Sequence, residues 1–140
     1  MKNRSELRDV IVKVIYQINI YKESKLDYDV DAIIKDNLEI ENNYVNEMVD
    51  GILKNEVKLR GLANKYLKNW TMDRLSNVDQ AILLLGIYEL LEYKETPSIV
   101  AINEAIELSK RYSDESVTRM INGVLDKIYH EEEKLTDGEE

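Results

Sequence analysis

The amino-acid sequence predicts an all-α protein, a compact multi-helix bundle. Three features carry that reading. The 140 residues include one Pro and five Gly, so little interrupts helix formation. Apolar side chains recur at spacings of three and four along most of the chain, which gathers them on one face of a helix. No segment alternates with the period of two that a half-buried strand requires, and no repeat of solenoid length is present.

The elements follow in order. In "SELRDVIVKVIYQINIY" Leu7, Val10, Ile11, Val14, Ile15 and Ile18 share a stripe, which predicts the first helix. A shorter helix is predicted over 30–38, and a long one over 43–68, bent near Gly61. "SNVDQAILLLGIYELLEY" opens with Ser76 and, three residues on, Asp79, the pattern of a capping box. Its middle, 81–88, is apolar all round, as expected of a central helix touched on several sides. Thr96 is expected to cap the next helix, with Pro97 at its first position, where a fixed φ fits. That helix carries Ile99, Ala101, Ile102, Ala105, Ile106, Leu108 and Tyr112 as its apolar side, and Glu104, Glu107, Lys110 and Arg111 as its polar side. Val117, Met120, Ile121, Val124, Leu125 and Ile128 form the stripe of the last helix. A single domain is expected over 1–130, followed by an acidic, disordered tail over 131–140.

Composition narrows the functional classes. The chain has no Cys, which excludes disulfides, thiol nucleophiles and thiolate metal sites. Its start is too charged for a signal peptide, and its longest apolar run falls far short of the ~18 residues of a membrane span. A soluble, cytoplasmic protein without membrane contact is expected. "DYDVDA" at 27–32 imitates a calcium loop, but Ala32 and Leu38 stand where Gly and Glu are needed. His130, the only His, has no nucleophile pattern beside it. No phosphate-binding Gly loop, zinc spacing or nucleophile elbow is present, so no enzyme and no cofactor are expected.

The net charge of −9 argues against a uniformly basic nucleic-acid binder, yet the charge is uneven. Residues 1–22 hold five basic and two acidic side chains, whereas 23–50 hold two basic and nine acidic. Lys2, Arg4, Arg8 and Lys13 make a modest basic cluster. Arg4 and Arg8, four apart, share a helix face that can straddle a phosphate backbone or simply solvate the surface. Trp70 reads as packing at a helix junction. Tyr16 is either the edge of the core or a partner contact of the kind Tyr favours.

The stretch "NWTMDRLSNVDQAILLLGIYELLEYKETPSIVAINEAIELSKRYSDESVTRMINGVLDKI" adds a different kind of information. Its pieces R-L-x-x-V-D-x-A-I-L, I-Y-E-L-L, T-P-x-x-V-A-I-N-E-A-I-E-L-x-K-x-Y and I-N-G-V-L-D-K-I resemble, in order and spacing, the NusB family of bacterial transcription antitermination factors. "VIYQ" and "MVDGIL" extend the resemblance to the first half, so it covers the chain to about residue 128. It implies two small helical bundles, no catalytic activity, and pairing with ribosomal protein NusE. The pair would bind boxA RNA of ribosomal RNA operons and join the transcribing RNA polymerase complex, promoting read-through. Free, the chain would be a monomer or a homodimer. The alternatives are the NusB-like RNA-binding domain of a ribosomal RNA methyltransferase and a helical protein–protein scaffold without an RNA role.

Carried onto this chain, the resemblance points to Lys2, Arg4, Arg8, Lys110, Arg111 and Arg119 for RNA, and to Tyr16 and Asp79 for NusE. Two departures stand out. The family's Arg-Arg-x-Ala-Arg is "RSELR" here, and its Phe before I/V-N-G-V-L-D is Met120. Both imply weak RNA binding by the isolated chain. Gly123 is expected to allow close helix approach, which would offset the ~1 kcal/mol that a mid-helix Gly costs relative to Ala. Asn103 and Asn122 are expected to make buried or interfacial hydrogen bonds.

Overall fold

The computed structural model describes residues 2–133. Helix α1 spans Arg4–Glu23, α2 Val30–Asn37, α3 Asn43–Lys54, α4 Glu56–Tyr66, α5 Asn77–Leu91, α6 Ser98–Tyr112 and α7 Glu115–Ile128. A single 3-10 turn at Met72–Arg74 leads into α5, and a π-helical turn at Tyr129–Glu133 prolongs α7. Among the described residues there is no strand.

Short polar side chains set where the helices begin. Asn3 and Glu6 form a reciprocal capping box on α1, with bonds of 2.8 and 3.0 Å. Asp29, Asn42, Ser76 and Asp114 each accept a backbone N–H of the first turn of α2, α3, α5 and α7. Two expectations about boundaries are corrected. The predicted 43–68 helix breaks at Asn55 and not at Gly61, because the Asn55 side chain bonds back to the Gly51 carbonyl at 2.8 Å and the backbone leaves the helical region. Thr96 does not cap α6, since its hydroxyl donates to Glu89, and Pro97 itself occupies the capping position.

Two helical groups result, α1–α3 and α4–α7, with α5 packed against α1, α3, α4, α6 and α7. The all-apolar middle of α5 therefore has neighbours on every side: Ala81, Ile82, Leu83, Leu84, Leu85 and Ile87 are buried. Each such Leu or Ile contributes roughly 1.5–3 kcal/mol of burial. Gly86 lets α5 approach α6 and α7 closely. A Cβ there would lie 3.2 Å from both Ala105 Cβ and Leu125 Cδ1, so the crossing of α5 with α6 and α7 depends on its absence.

The role expected for Gly123 is not found. An added Cβ would meet nothing within 4 Å, and Asn103, Asn122 and Gly123 are all exposed. Buried hydrogen bonding by the two asparagines is likewise excluded by that exposure. Ile99, assigned to the apolar side of α6, is 69 % exposed. Of the tail expected to be disordered over 131–140, residues 131–133 belong to the helical turn, and the rest lies outside the described residues. Among the described residues, no helix is long and apolar enough to cross a membrane.

Candidate RNA and partner surfaces

The first turns of α1 set the geometry. Leu7, Val10 and Ile11 bury one stripe, and this rotation carries Arg8 inward as well. Arg8 is corrected from an exposed RNA-facing residue to a buried one. Its Nε and Nη2 each donate to one oxygen of Glu89 at 2.8 Å, a two-pronged pair between α1 and α5. Tyr44 and Thr96 also donate to Glu89, at 2.9 and 2.7 Å. Burial alone would raise the Glu89 carboxyl, but Arg8 and the hydroxyls of Thr96 and Tyr44 outweigh it and hold the group below its ordinary value. The same burial, with the Glu89 charge nearby, pushes the Tyr44 hydroxyl well up. Spacing alone could not have shown this, because the guanidinium's partner lies in another helix.

Arg4 stays exposed, its guanidinium 3.8 Å over the Tyr44 ring. Ser5 and Arg8 meet Glu104 of α6, Ser5 by a 2.7 Å hydrogen bond. One turn on, Asp9 gathers Lys13 at 3.0 Å, Arg111 at 3.1 Å and the Tyr112 hydroxyl at 2.5 Å. Burial opposes ionisation of Asp9, yet Tyr112, Lys13 and Arg111 keep its carboxyl below the usual range. Thus Arg111 is drawn to α1, beside Lys13. Lys110 and Arg119 instead pair along their own helices, with Glu107 at 3.3 Å and Glu115 at 3.1 Å. Lys2, Arg4, Lys110, Arg111 and Arg119 are exposed cations, whereas Arg8 is buried between α1 and α5.

Tyr16 and Asp79 line two different recesses near the start of α5. Tyr16 is 39 % exposed and lines a largely apolar recess with Val12, Lys13, Val78 and Tyr112. Asp79, expected to face NusE, is buried and accepts a hydrogen bond from Ser113. It borders a second recess with Trp70, Lys68, Arg74 and Met120. Trp70 is 49 % exposed there, half of its ring packed at the junction and half open beside the two cations.

The NusB family model matches residues 5–130. The chain belongs to the NusB family. Its relatives include the transcription antitermination protein NusB of Acetivibrio thermocellus, 38 % identical over 98 % of this chain and 95 % of the relative. NusB of Listeria monocytogenes is 36 % identical over 92 % of this chain and 98 % of the relative. A solved structure of T. maritima NusB superposes with a TM-score of 0.80 at 33 % identity, covering 93 % of this chain and 92 % of that one. A chain from a structure of the antitermination factors NusB and NusE in complex with double-stranded RNA superposes at 0.77 with 25 % identity, covering 91 % and 96 %. The two-bundle helical fold expected of the NusB family is therefore the fold of this chain.

Proposed function

We propose that this NusB-family chain is a transcription antitermination factor that pairs with NusE, binds boxA RNA of ribosomal RNA operons, and assists read-through by the transcribing polymerase complex. It acts by binding, catalyses no reaction, and works in the cytoplasm. The observation that carries the reading is the family match over nearly the whole fold, with relatives named for antitermination across 95–98 % of their own length. That correspondence favours antitermination over a methyltransferase's RNA-binding domain.

The surfaces divide between two ligands. RNA is met by Lys2, Arg4, Lys110, Arg111 and Arg119, with Arg8 holding the start of α1 in place. Phosphate contacts from so few cations give modest affinity and strong salt dependence. NusE is met at the Tyr16 recess, where a rigid aromatic stands beside Val78 and Tyr112. Asp79 supports that surface indirectly, through Ser113 and the first turn of α5.

A gel shift with boxA RNA, with and without purified NusE, tests the reading. A shift that strengthens at least tenfold on adding NusE is expected. Equal shifts for boxA and a scrambled RNA, with and without NusE, would overturn it.

A further inference from the structure

Beside the Tyr16 recess, where α1, α4 and the start of α5 meet, lies a polar well of about 290 Å³ that the RNA and partner surfaces leave unused. It sits at the small end of the ~300–1,000 Å³ typical of ligand pockets, a size for one side chain. Asn19 lines it, 5 % exposed. Its Oδ1 accepts from Arg60 at 3.4 Å, while its Nδ2 is buried without a partner. Asn77, across the well, gives its Nδ2 to Glu23 at 3.3 Å and leaves its Oδ1 buried and unpartnered. An orphaned amide donor or acceptor costs about 1–3 kcal/mol, so two in one recess mark a place completed by something else.

The charges around the well say what kind of group fits. Its two cations are already engaged: Lys22 and Arg60 both bind Glu56, at 2.6 and 2.8 Å, and Arg60 also donates to Gln80 at 2.9 Å. Its carboxylates Glu23 and Asp73 have no cationic partner among the described residues. What remains unused is one donor, one acceptor and two negative charges. That set repels a phosphate and accepts a cation that carries hydrogen-bond donors. A peptide segment with an Arg or Lys supplies the rest, its backbone carbonyl taking the Asn19 N–H.

We propose that this well is a pocket for a basic side chain of the protein partner, which extends the Tyr16 surface along α1 and α5. Continuity is built into the two helices, since Asn19 stands one turn beyond Tyr16 and Asn77 adjoins Val78. The proposal rests on the reading that the chain pairs with NusE, a ribosomal protein and therefore of a basic class. Opposite charges at this edge also speed encounter between the two.

Calorimetric titration of the full chain with purified NusE, at low and high salt, tests it. Glu23→Gln with Asp73→Asn should weaken binding about tenfold or more and flatten its salt dependence, as removal of a charge-assisted hydrogen bond does. Asn77→Ala, at a half-buried position, should weaken it about threefold to tenfold. Asp36→Asn with Glu39→Gln, which remove equal charge from α2 and the loop after it, where neither residue lines the well, should leave affinity within twofold. Thermal melts establish that each variant is folded. If the parent binds and the Glu23/Asp73 pair binds within twofold of it, or no more weakly than the Asp36/Glu39 control, the well holds only water and the proposal fails while pairing stands. If the parent itself does not bind, the pairing fails and takes this pocket with it.

Discussion

Arg8 and Glu89 face each other through two parallel 2.8 Å hydrogen bonds, with 4 % and 1 % of their side chains exposed. Such a pair adds little net stability when both partners are present, but removing one strands the other charge in the core. Arg8→Ala is expected to destabilise the fold by about 3–5 kcal/mol. Arg8→Lys restores the charge without the fork and should recover only part of that loss. Urea denaturation of the three proteins measures both, and a loss below about 1 kcal/mol for Arg8→Ala would place the arginine outside the core.

Acid stability follows from the same carboxylate. In the folded chain the Glu89 carboxyl sits below its ordinary value of 4.5, so the unfolded chain takes up the proton first. The contribution is therefore full above about pH 4.5 and is lost as pH falls through the folded value. Asp9, also held below its usual range, acts in the same direction. The stability gap between the parent and Glu89→Gln should be widest near neutrality and should close under acid. A gap independent of pH would mean that Glu89 is not ionised in the fold.

Arg4 and Arg8, though four residues apart on one helix, should separate cleanly by mutation. Arg4→Ala removes an exposed cation that rests on the Tyr44 ring. It should lower RNA affinity of the NusE pair and reduce the magnitude of the log–log salt slope by roughly 0.7–0.9 for each phosphate that Arg4 neutralises. Stability should fall by no more than about 1 kcal/mol, the usual worth of an exposed cation–π interaction. An unchanged slope would remove Arg4 from the RNA surface.

The glycines make opposite predictions. Gly86→Ala forces a methyl against Ala105 and Leu125 and should cost about 1–3 kcal/mol. Gly123→Ala enters open space in an exposed helix and should stabilise by about 1 kcal/mol. Differential scanning calorimetry reads the two signs directly. A destabilised Gly123→Ala would mean that the open space beside α7 is not there.

Tyr16→Asp should abolish pairing with NusE and leave the circular dichroism spectrum intact, because Tyr16 already reaches solvent. Asp79→Asn keeps the Ser113 hydrogen bond and should bind within about threefold of the parent. Unchanged affinity in Tyr16→Asp would move the interface elsewhere.

The sequence was most informative where a single rule governed the outcome. The stripe from Leu7 to Ile18, the cap at Ser76 and the all-round apolar middle of α5 each follow from periodicity or capping alone, and each is found. It was least informative where a partner lay far along the chain. Arg8 looks like a surface cation until Glu89, Tyr44 and Thr96 close around it. Thr96 looks like a cap until Glu89 claims its hydroxyl. Asn55 stops a helix that Gly61 was expected to bend, since a side chain reaching back four residues is a stronger local signal than a glycine with nothing against it.

The Arg8–Glu89 bridge spans 81 residues, and that has a consequence for how the chain is made. At synthesis rates of ~5–20 residues per second, those 81 positions take roughly 4–16 seconds to appear. Throughout that interval α1 can dock only on α2 and α3, and the part of its apolar stripe that α5 covers stands open to solvent and to other nascent chains. Helix formation itself is complete within microseconds. The first helix therefore waits, preformed and adhesive, for a strut delivered late. A ribosome stalled before residue 89 would be the place to find it bound by a chaperone.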